Sequence, residues 1–429
     1  MDIRIELCVL CLLALTPTGG PSFGKPKDKA APMLVAANVM SFGAKADGKT
    51  DDTAAFQKAL DTAAPKGGIV LAPAGTYLIA GSLNVPEGVT LRGVWEAPHR
   101  ANVAKGTTLL ATGGAGDDKG KPLIHLADTA CAKGLTILHP NQRADNIIHY
   151  PWTILGEGSH ISVIDVTLVN SYRAVKINGE QHYIKNVFGC ALVVGIAIDG
   201  CTDVGRIEDI HFNLHYWTRS GHPSAPAQKD VQKLIDFLKE NLVAFRIGRT
   251  DWEYMTNCFC IFAKIGYHFI RTEGGDPNAI LTQCGSDLGP VCVQVDASQA
   301  HSGVSFNNSQ FMGTIVNKRE NNGPLKFANC GFWPVEETDS FANLDGGGTV
   351  TFTGCHFVDW GHKDQNAPCI LAKRGSLIVN ACDFMADKPK ITLEADVETA
   401  VITGNRLRGG AQITNNSKGD VQIGLNSEK

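Results

Sequence analysis

The sequence predicts an all-β solenoid of about a dozen coils, with an N-terminal capping helix and one helical insertion. Two observations carry this: a short phrase that recurs down the chain, and a composition suited to many short strands and tight turns. The phrase runs apolar, any, small or polar, Cys or aliphatic, any, apolar. It reads Met255-Thr256-Asn257-Cys258-Phe259-Cys260, Phe327-Ala328-Asn329-Cys330-Gly331-Phe332, Phe352-Thr353-Gly354-Cys355-His356-Phe357 and Val379-Asn380-Ala381-Cys382-Asp383-Phe384. Weaker copies centre on Leu135, Val166, Val187, Ile210, Cys284, Ser309 and Asn405. Most steps between centres are 21 to 27 residues; the two longer ones, 31 and 48, each contain an insertion. Units of this length, rich in β-branched and aromatic positions, bury their apolar side only by stacking on one another.

With 429 residues the length alone allows two or three domains, but a solenoid grows without adding domains. The 46 glycines and 19% charged residues fit strands and turns, not disorder. A net charge of −4 says little about partners, and no basic run points to nucleic acid, so none is expected. Residues 1–24 read as a signal peptide: Arg4 near the start, an apolar run from Leu7 to Leu15, then Thr16-Pro17-Thr18-Gly19-Gly20. That run is too short to cross a bilayer. Residues 25–36 form a linker and 37–429 the solenoid, so the expected location is secreted or periplasmic, without membrane association once the signal is removed. Thirteen Cys in an exported chain would ordinarily suggest disulfides. Here Cys258, Cys284, Cys330, Cys355 and Cys382 share one phase of the repeat, which predicts an inward ladder of free, buried thiols.

The chain in order begins with Phe42-Gly43-Ala44-Lys45, Asp47-Gly48 and Thr50-Asp51-Asp52-Thr53. Asp51 or Asp52 is placed to cap a helix from about Thr53 to Ala63, with Phe56 and Leu60 as its apolar stripe. Gly67-Gly68 ends it, and strands follow around Gly75-Thr76-Tyr77 up to Gly93. An open solenoid end exposes core and strand edges, so this helix is the expected cover. The stretch from Val39 to Gly93 closely resembles the entry segment of pectate-lyase-like proteins, which include glycoside hydrolase family 28-related proteins, alginate epimerases and phage tailspikes. The resemblance implies a single-stranded right-handed parallel β-helix. It implies no catalytic residues: the Asn-Thr-Asp, Asp-Asp, Gly-His-Gly and Arg-Ile-Lys motifs of polygalacturonases are absent from the central coils. The epimerase Asp-Pro-His-Glu is approached only by Asp276-Pro277-Asn278-Ala279.

Each later coil lays out as three strands. In the first strands, period-two alternation turns Lys176, Arg246, His268 and Gln294 outward in one file, with Asn178, Asp199 and Asp296 in the parallel file. Two insertions precede first strands and are placed to wall this face: 140–152, which ends in Tyr150-Pro151-Trp152, and 218–242, a Pro-rich loop followed by an amphipathic helix. The plainer role for the helix is to shield one flank. Glu336-Glu337-Thr338-Asp339 is an acidic loop that Ca²⁺ could occupy, although a solvated turn is the simpler account. No other cofactor is implied. The C-terminal coils carry no evident cap, which leaves the final tail or a partner subunit to cover them.

Glu253 breaks the repeat. It stands five residues before Cys258, where other coils carry Ile161, Val304, Leu325, Val350, Leu377 and Ala400. An acid at an inward phase is either a general acid with a raised pKa or a buried partner, and His182 occupies the same phase in an earlier coil. Two catalytic schemes follow. Glycoside hydrolysis needs two carboxyls, from Asp251, Glu253 and Asp199, with Trp252 and Tyr254 as stacking surfaces. Elimination on a uronate needs a base such as His268 and cations to hold the carboxylate, from Lys176, Arg246, Arg173 and Arg249, with Gln294 and Trp152 lining the same face. The expected partner is an acidic polysaccharide, with hydrolysis slightly favoured; glycan binding without turnover, or a structural surface role, is the other class.

Overall fold

A computed structural model of the chain describes residues 35–95, 103–335 and 338–429. The expected signal peptide, nearly all of the linker, and Glu336 and Glu337 of the acidic loop lie outside the described residues. Every strand pairs in parallel with the coil before and after it, in three ladders. The first begins Leu83–Val85, Ile124–Leu126, Trp152–Glu157, Arg173–Asn178, Val194–Asp199, Val243–Ile247, Ile265–Phe269 and Val291–Val295. The second runs from Val35–Asn38 to Asp420–Gly424, and the third runs beside it, continuous with it in the long strands Ser162–Leu168, Tyr183–Gly189, Gly205–Phe212 and Glu253–Ile261. The solenoid has about 15 turns, more than the dozen expected. The extra coils lie mainly before Leu135, where strands such as Gly68–Leu71 and Val89–Arg92 pair without the phrase that marks later coils.

That phrase marks a corner. The residue just before each centre is left-handed: Gly134, Asp165, Asn186, Asp209, Asn257, Gln283, Asn308, Asn329, Gly354, Ala381 and Gly404 all have φ between 50° and 69°. Asn, Asp and Gly tolerate this conformation best. The polar ones also bond along the stack: Asn186 Nδ2 donates to Asp165 Oδ1 at 2.9 Å and Asn257 Nδ2 to Asp209 Oδ1 at 2.8 Å. Just inside the corner lies the Cys ladder. The thiols of Cys258, Cys330, Cys355 and Cys382 donate to the carbonyls of Ile207, Phe306, Phe327 and Phe352 in the preceding coil, at 3.4–3.5 Å. Beside them run aromatic stacks, Phe306–Phe327–Phe352 at 5.3 and 5.1 Å and Phe332–Phe357–Phe384 at 5.0 and 4.8 Å.

The N-terminal helix spans Thr53–Ala63 and buries Ala55, Phe56, Ala59, Leu60 and Ala63 over the first coil. Of the two expected caps, Asp51 takes up the first helical N–H and Asp52 does not. Asp52 turns away to accept from the backbone of Lys45 and Ala46, at 2.7 and 3.1 Å, fastening the entry loop instead. Asp51 accepts from the Thr53 N–H at 3.0 Å. The second insertion forms a helix at Val231–Asn241 with Leu234 and Leu238 buried. At the other end the tail adds a rung rather than a lid: Ser427 bridges to Arg406 in parallel, while Ile423 and Leu425 stay 42% and 92% exposed.

Of the eleven described cysteines all are free, and all but Cys131 are buried. Burial raises the thiols of Cys190 and Cys260 to about 12. In protein starting after residue 34, a thiol reagent should therefore label at most Cys131 before unfolding and all eleven in denaturant. Rapid native labelling of several thiols would contradict the ladder.

Candidate functional site

The outward file of the first ladder forms as its alternation dictates. Lys176 pairs with Ala197, Ala197 with Arg246, Arg246 with His268, and His268 with Gln294. Ala197, small and buried, leaves a depression between the two cations. The result is a cleft of about 380 Å³ lined by Trp152, Arg173, Lys176, Asp199, Arg246 and Thr272, with Val193, Val194 and Ile270 as apolar walls. Among the described residues neither Lys176 nor Arg246 forms an ion pair. Arg173 is committed: it donates to Asp118 Oδ2 at 2.8 Å and lies over the Trp152 and Tyr172 rings at 6.0 and 5.9 Å. One rung beyond Arg246, His268 Nε2 donates to Asp296 Oδ2 at 2.7 Å, and the Gln294 amide donates to Asp296 Oδ1 at 2.8 Å. Despite the burial that opposes it, these donors hold the Asp296 carboxyl below its usual range. The Gln294 amide nitrogen also lies 3.2 Å from His268 Nε2, so the ring is held by that nitrogen, and among the described residues none bonds its Nδ1.

A second cleft, of about 720 Å³, is built by the turns that follow the first strands of successive coils. Asp203, Arg249, Asp251, Trp252, Asp276, Asn278, Gln299 and His301 line it. The two clefts adjoin at Asp199, whose Oδ1 accepts from the backbone of Gly200 and Arg249 at 2.9 and 3.0 Å and from Thr272 Oγ1 at 2.8 Å. Asp199 is thus a turn-holding residue with one oxygen spent. Asp251 accepts from Arg249 Nη2 and Gln299 Nε2, both at 2.7 Å. The Arg249 guanidinium holds it below the usual carboxylate range, against partial burial. Arg271 does the same to Asp276, at 2.6 and 2.8 Å, and the Gln181 amide and the Val204 N–H to Asp203. All three cleft carboxyls are therefore held in their charged form. Among the described residues burial pushes up one carboxyl, Asp287, and it faces Phe259, Met312 and Trp333 on the third ladder.

Several expected site residues stand elsewhere. Glu253 has no exposed surface; its Oε1 meets His182 Nε2 at 2.9 Å inside the coil. It is the buried partner and not a group that can touch a substrate. Burial disfavours the His182 imidazolium, but the Glu253 charge overrides it and raises His182 to about 10. Tyr254 points outward on the second ladder between Arg206 and Ile280, away from both clefts. Trp252, 53% exposed and left-handed, does reach the turn cleft. Trp152 is the first insertion's contribution to the groove, while the helix of the second insertion supplies none of its lining and serves as the flank shield. Asp203, Asp276, Asn278, Gln299 and His301 were not expected. The signal for Asn278 and Gln299 is polar character at turn positions: Asn278 is buried, accepting from Trp252 N at 2.7 Å, and Gln299 bridges Asp251 to the Thr250 and Asp276 carbonyls.

With this geometry in hand, residues 36–206 match the family model described as rhamnogalacturonase A/epimerase, pectate lyase-like. The match covers less than half of the chain, and the chain as a whole folds as a parallel β-helix. Among curated proteins, 88 residues are 40% identical to the non-secreted LysM effector LysM19 of Penicillium expansum, and 55 residues are 47% identical to alginate lyase 7 of Azotobacter vinelandii. These stretches cover 20% and 13% of this chain and 6% of each relative, so the likeness is confined to a small part of those proteins. Among solved structures, the N-terminal fragment of bacteriophage phi29 gene product 12 superposes with a TM-score of 0.52 and 11% identity, over 90% of this chain and 72% of that one. That likeness is one of fold alone.

The two acids of the Asp251–Glu253 pair should separate in a stability measurement. Glu253→Ala leaves a buried imidazole unpaired and should lower the unfolding free energy by about 3–5 kcal/mol, whereas Asp251→Asn at the cleft wall should cost under about 1 kcal/mol. Urea unfolding at neutral pH checks this; equal small effects would mean that Glu253 is not inside.

Proposed function

We propose that this chain is a carbohydrate-active protein that binds a uronate-containing polysaccharide along the first ladder and abstracts the proton next to a bound carboxylate. The observation that carries the proposal is the register of Arg246 and His268 on adjacent rungs, with Lys176 on the same file. A guanidinium and an imidazole about 4.8 Å apart along the ladder can hold a carboxylate and reach the neighbouring C–H at once. Lys176 and Arg246 make the groove cationic on a chain of net negative charge, which concentrates an anionic ligand there. Trp152 gives the groove an apolar face for a sugar ring. The family model's description and the alginate lyase relative support a polysaccharide of this kind, and an exported protein would meet it outside the cell.

Hydrolysis loses its support at Glu253. The candidate acid is sealed inside the coil, and the carboxyls that do line the turn cleft are held ionised, so a protonated donor is missing from the pair that hydrolysis requires. Proton abstraction leads either to an eliminated, unsaturated uronate or to an inverted centre when the proton is returned from the other face. The turn cleft adjoins the groove at Asp199 and extends the surface available to a chain of sugars.

Incubation with a panel of uronans tests the proposal. New chain ends with the ultraviolet absorbance of an unsaturated uronate, or inversion detected by NMR, is the expected result. New reducing ends without absorbance would return the assignment to hydrolysis, and binding without either change would make this a glycan-binding protein. Lys176→Ala and Arg246→Ala should each weaken uronan binding about tenfold at low salt, and added salt should weaken the wild type. Binding of neutral glycans alone, insensitive to salt, would overturn the substrate class.

A further inference from the structure

The inward file that carries Glu253 has an unusual order of residues. Tyr183 pairs with Arg206 and Gly205 with Glu253, so His182, Gly205 and Glu253 occupy one phase in three successive coils. His182 and Glu253 are two rungs apart, about 9.6 Å along the stack. They meet only because the coil between them has no side chain at this phase: a Cβ on Gly205 would overlap Glu253 Oε2 and the His182 ring. The same middle coil sends in Cys201 from the turn just before Gly205, where it bridges to Thr250. The imidazole nitrogen, the thiol sulfur and a carboxylate oxygen lie within 4.8 Å of one another, and all three residues have no exposed surface. The ion pair uses Glu253 Oε1 alone. Oε2 is buried with no hydrogen-bond partner, a costly state for a carboxylate oxygen.

We propose that His182, Cys201 and Glu253 are the ligands of a buried divalent transition-metal ion of the zinc type, which ties three successive coils together. Imidazole nitrogen, thiolate sulfur and carboxylate oxygen are the donors such an ion takes, and their mixed softness suits zinc over magnesium or calcium. A simple buried ion pair explains His182 and Glu253 but leaves Glu253 Oε2 orphaned and gives the inward Cys201 thiol only the Asp203 carbonyl. An ion accounts for both. The charges also balance: two positive charges meet one thiolate and one carboxylate, so the occupied site is neutral in a low-dielectric interior. Binding displaces two protons to solvent, one shared by His182 and Glu253 and one on the Cys201 thiol, which donates to the Asp203 carbonyl at 2.6 Å. A backbone carbonyl or a water completes the coordination. Thr202 and Asp203, directly after Cys201, line the turn cleft, so the ion would stiffen the wall of that cleft from behind.

The test uses protein purified without a metal-affinity tag, stripped with a chelator, loaded with Zn²⁺ or Co²⁺ and desalted. The expected result is about one ion retained per chain, a thiolate-to-Co²⁺ charge-transfer absorption and a higher unfolding midpoint. Cys201→Ser, which keeps the His182–Glu253 pair, should weaken retention by about 100-fold and remove the absorption. Cys131→Ser, at the one partly exposed thiol among the described residues, should change neither. X-ray absorption of the wild-type zinc form needs no variant: one sulfur with nitrogen or oxygen neighbours is expected. No retained ion, a coordination shell without sulfur or with several, or full retention by Cys201→Ser would overturn the proposal and leave a buried ion pair only.

Discussion

The structure depends on one backbone constraint, the left-handed residue at the corner between the second and third ladders. Eleven consecutive coils turn there on a single residue, and nine of those eleven are Asp, Asn or Gly, with Gln283 and Ala381 differing in side chain but not in φ. Each non-glycine residue at such φ stores about 1 kcal/mol or more. Side-chain bonds along the stack and the burial of the next residue offset it. Because the corner admits no extra residue, the residue after it always points inward, and the Cys and Phe files follow in register. The second and third ladders are thereby rigid, and the first ladder is presented as a fixed face.

On that face, function is a matter of which outward residues sit on neighbouring rungs. Lys176, Arg246 and His268 are far apart in sequence, with the 218–242 insertion between the first two, yet parallel pairing brings them into one file. The turns after the first strands add the polar cleft around Asp251. There a network of Arg249, Gln299 and Asn278 fixes the carboxylate and exposes Trp252. The rigid scaffold and the variable turns thus divide the work, as loops on a stable frame commonly do.

Much of this was legible in the residues. The repeat located the corners, the Cys ladder and the outward file, because strand alternation has a period of two and leaves little freedom. It also singled out Glu253 and its partner His182 by phase alone. What the repeat could not supply was the side-chain reach across a missing neighbour. Gly205 reads as an unremarkable strand residue until the two coils flanking it are seen to meet over it. Nor could it place the turns after the first strands, whose lengths vary and whose polar residues find partners in other coils, Asn278 one coil away and Gln299 two. Coils before Leu135 were undercounted because they lack the phrase while still forming the ladders.

The single-residue corner has a consequence for how such a chain can diverge. Both long insertions, and shorter segments such as 112–123 and 358–369, enter between a third-ladder strand and the next first-ladder strand, and others lie between first and second strands; from Leu135 onward the phrase itself is never interrupted. In the coils from Leu135 onward, length variation is therefore confined to the two borders of the first ladder. Lineages can lengthen, shorten or exchange those borders, and so alter what the groove accepts, without disturbing the packing that keeps the coil folded.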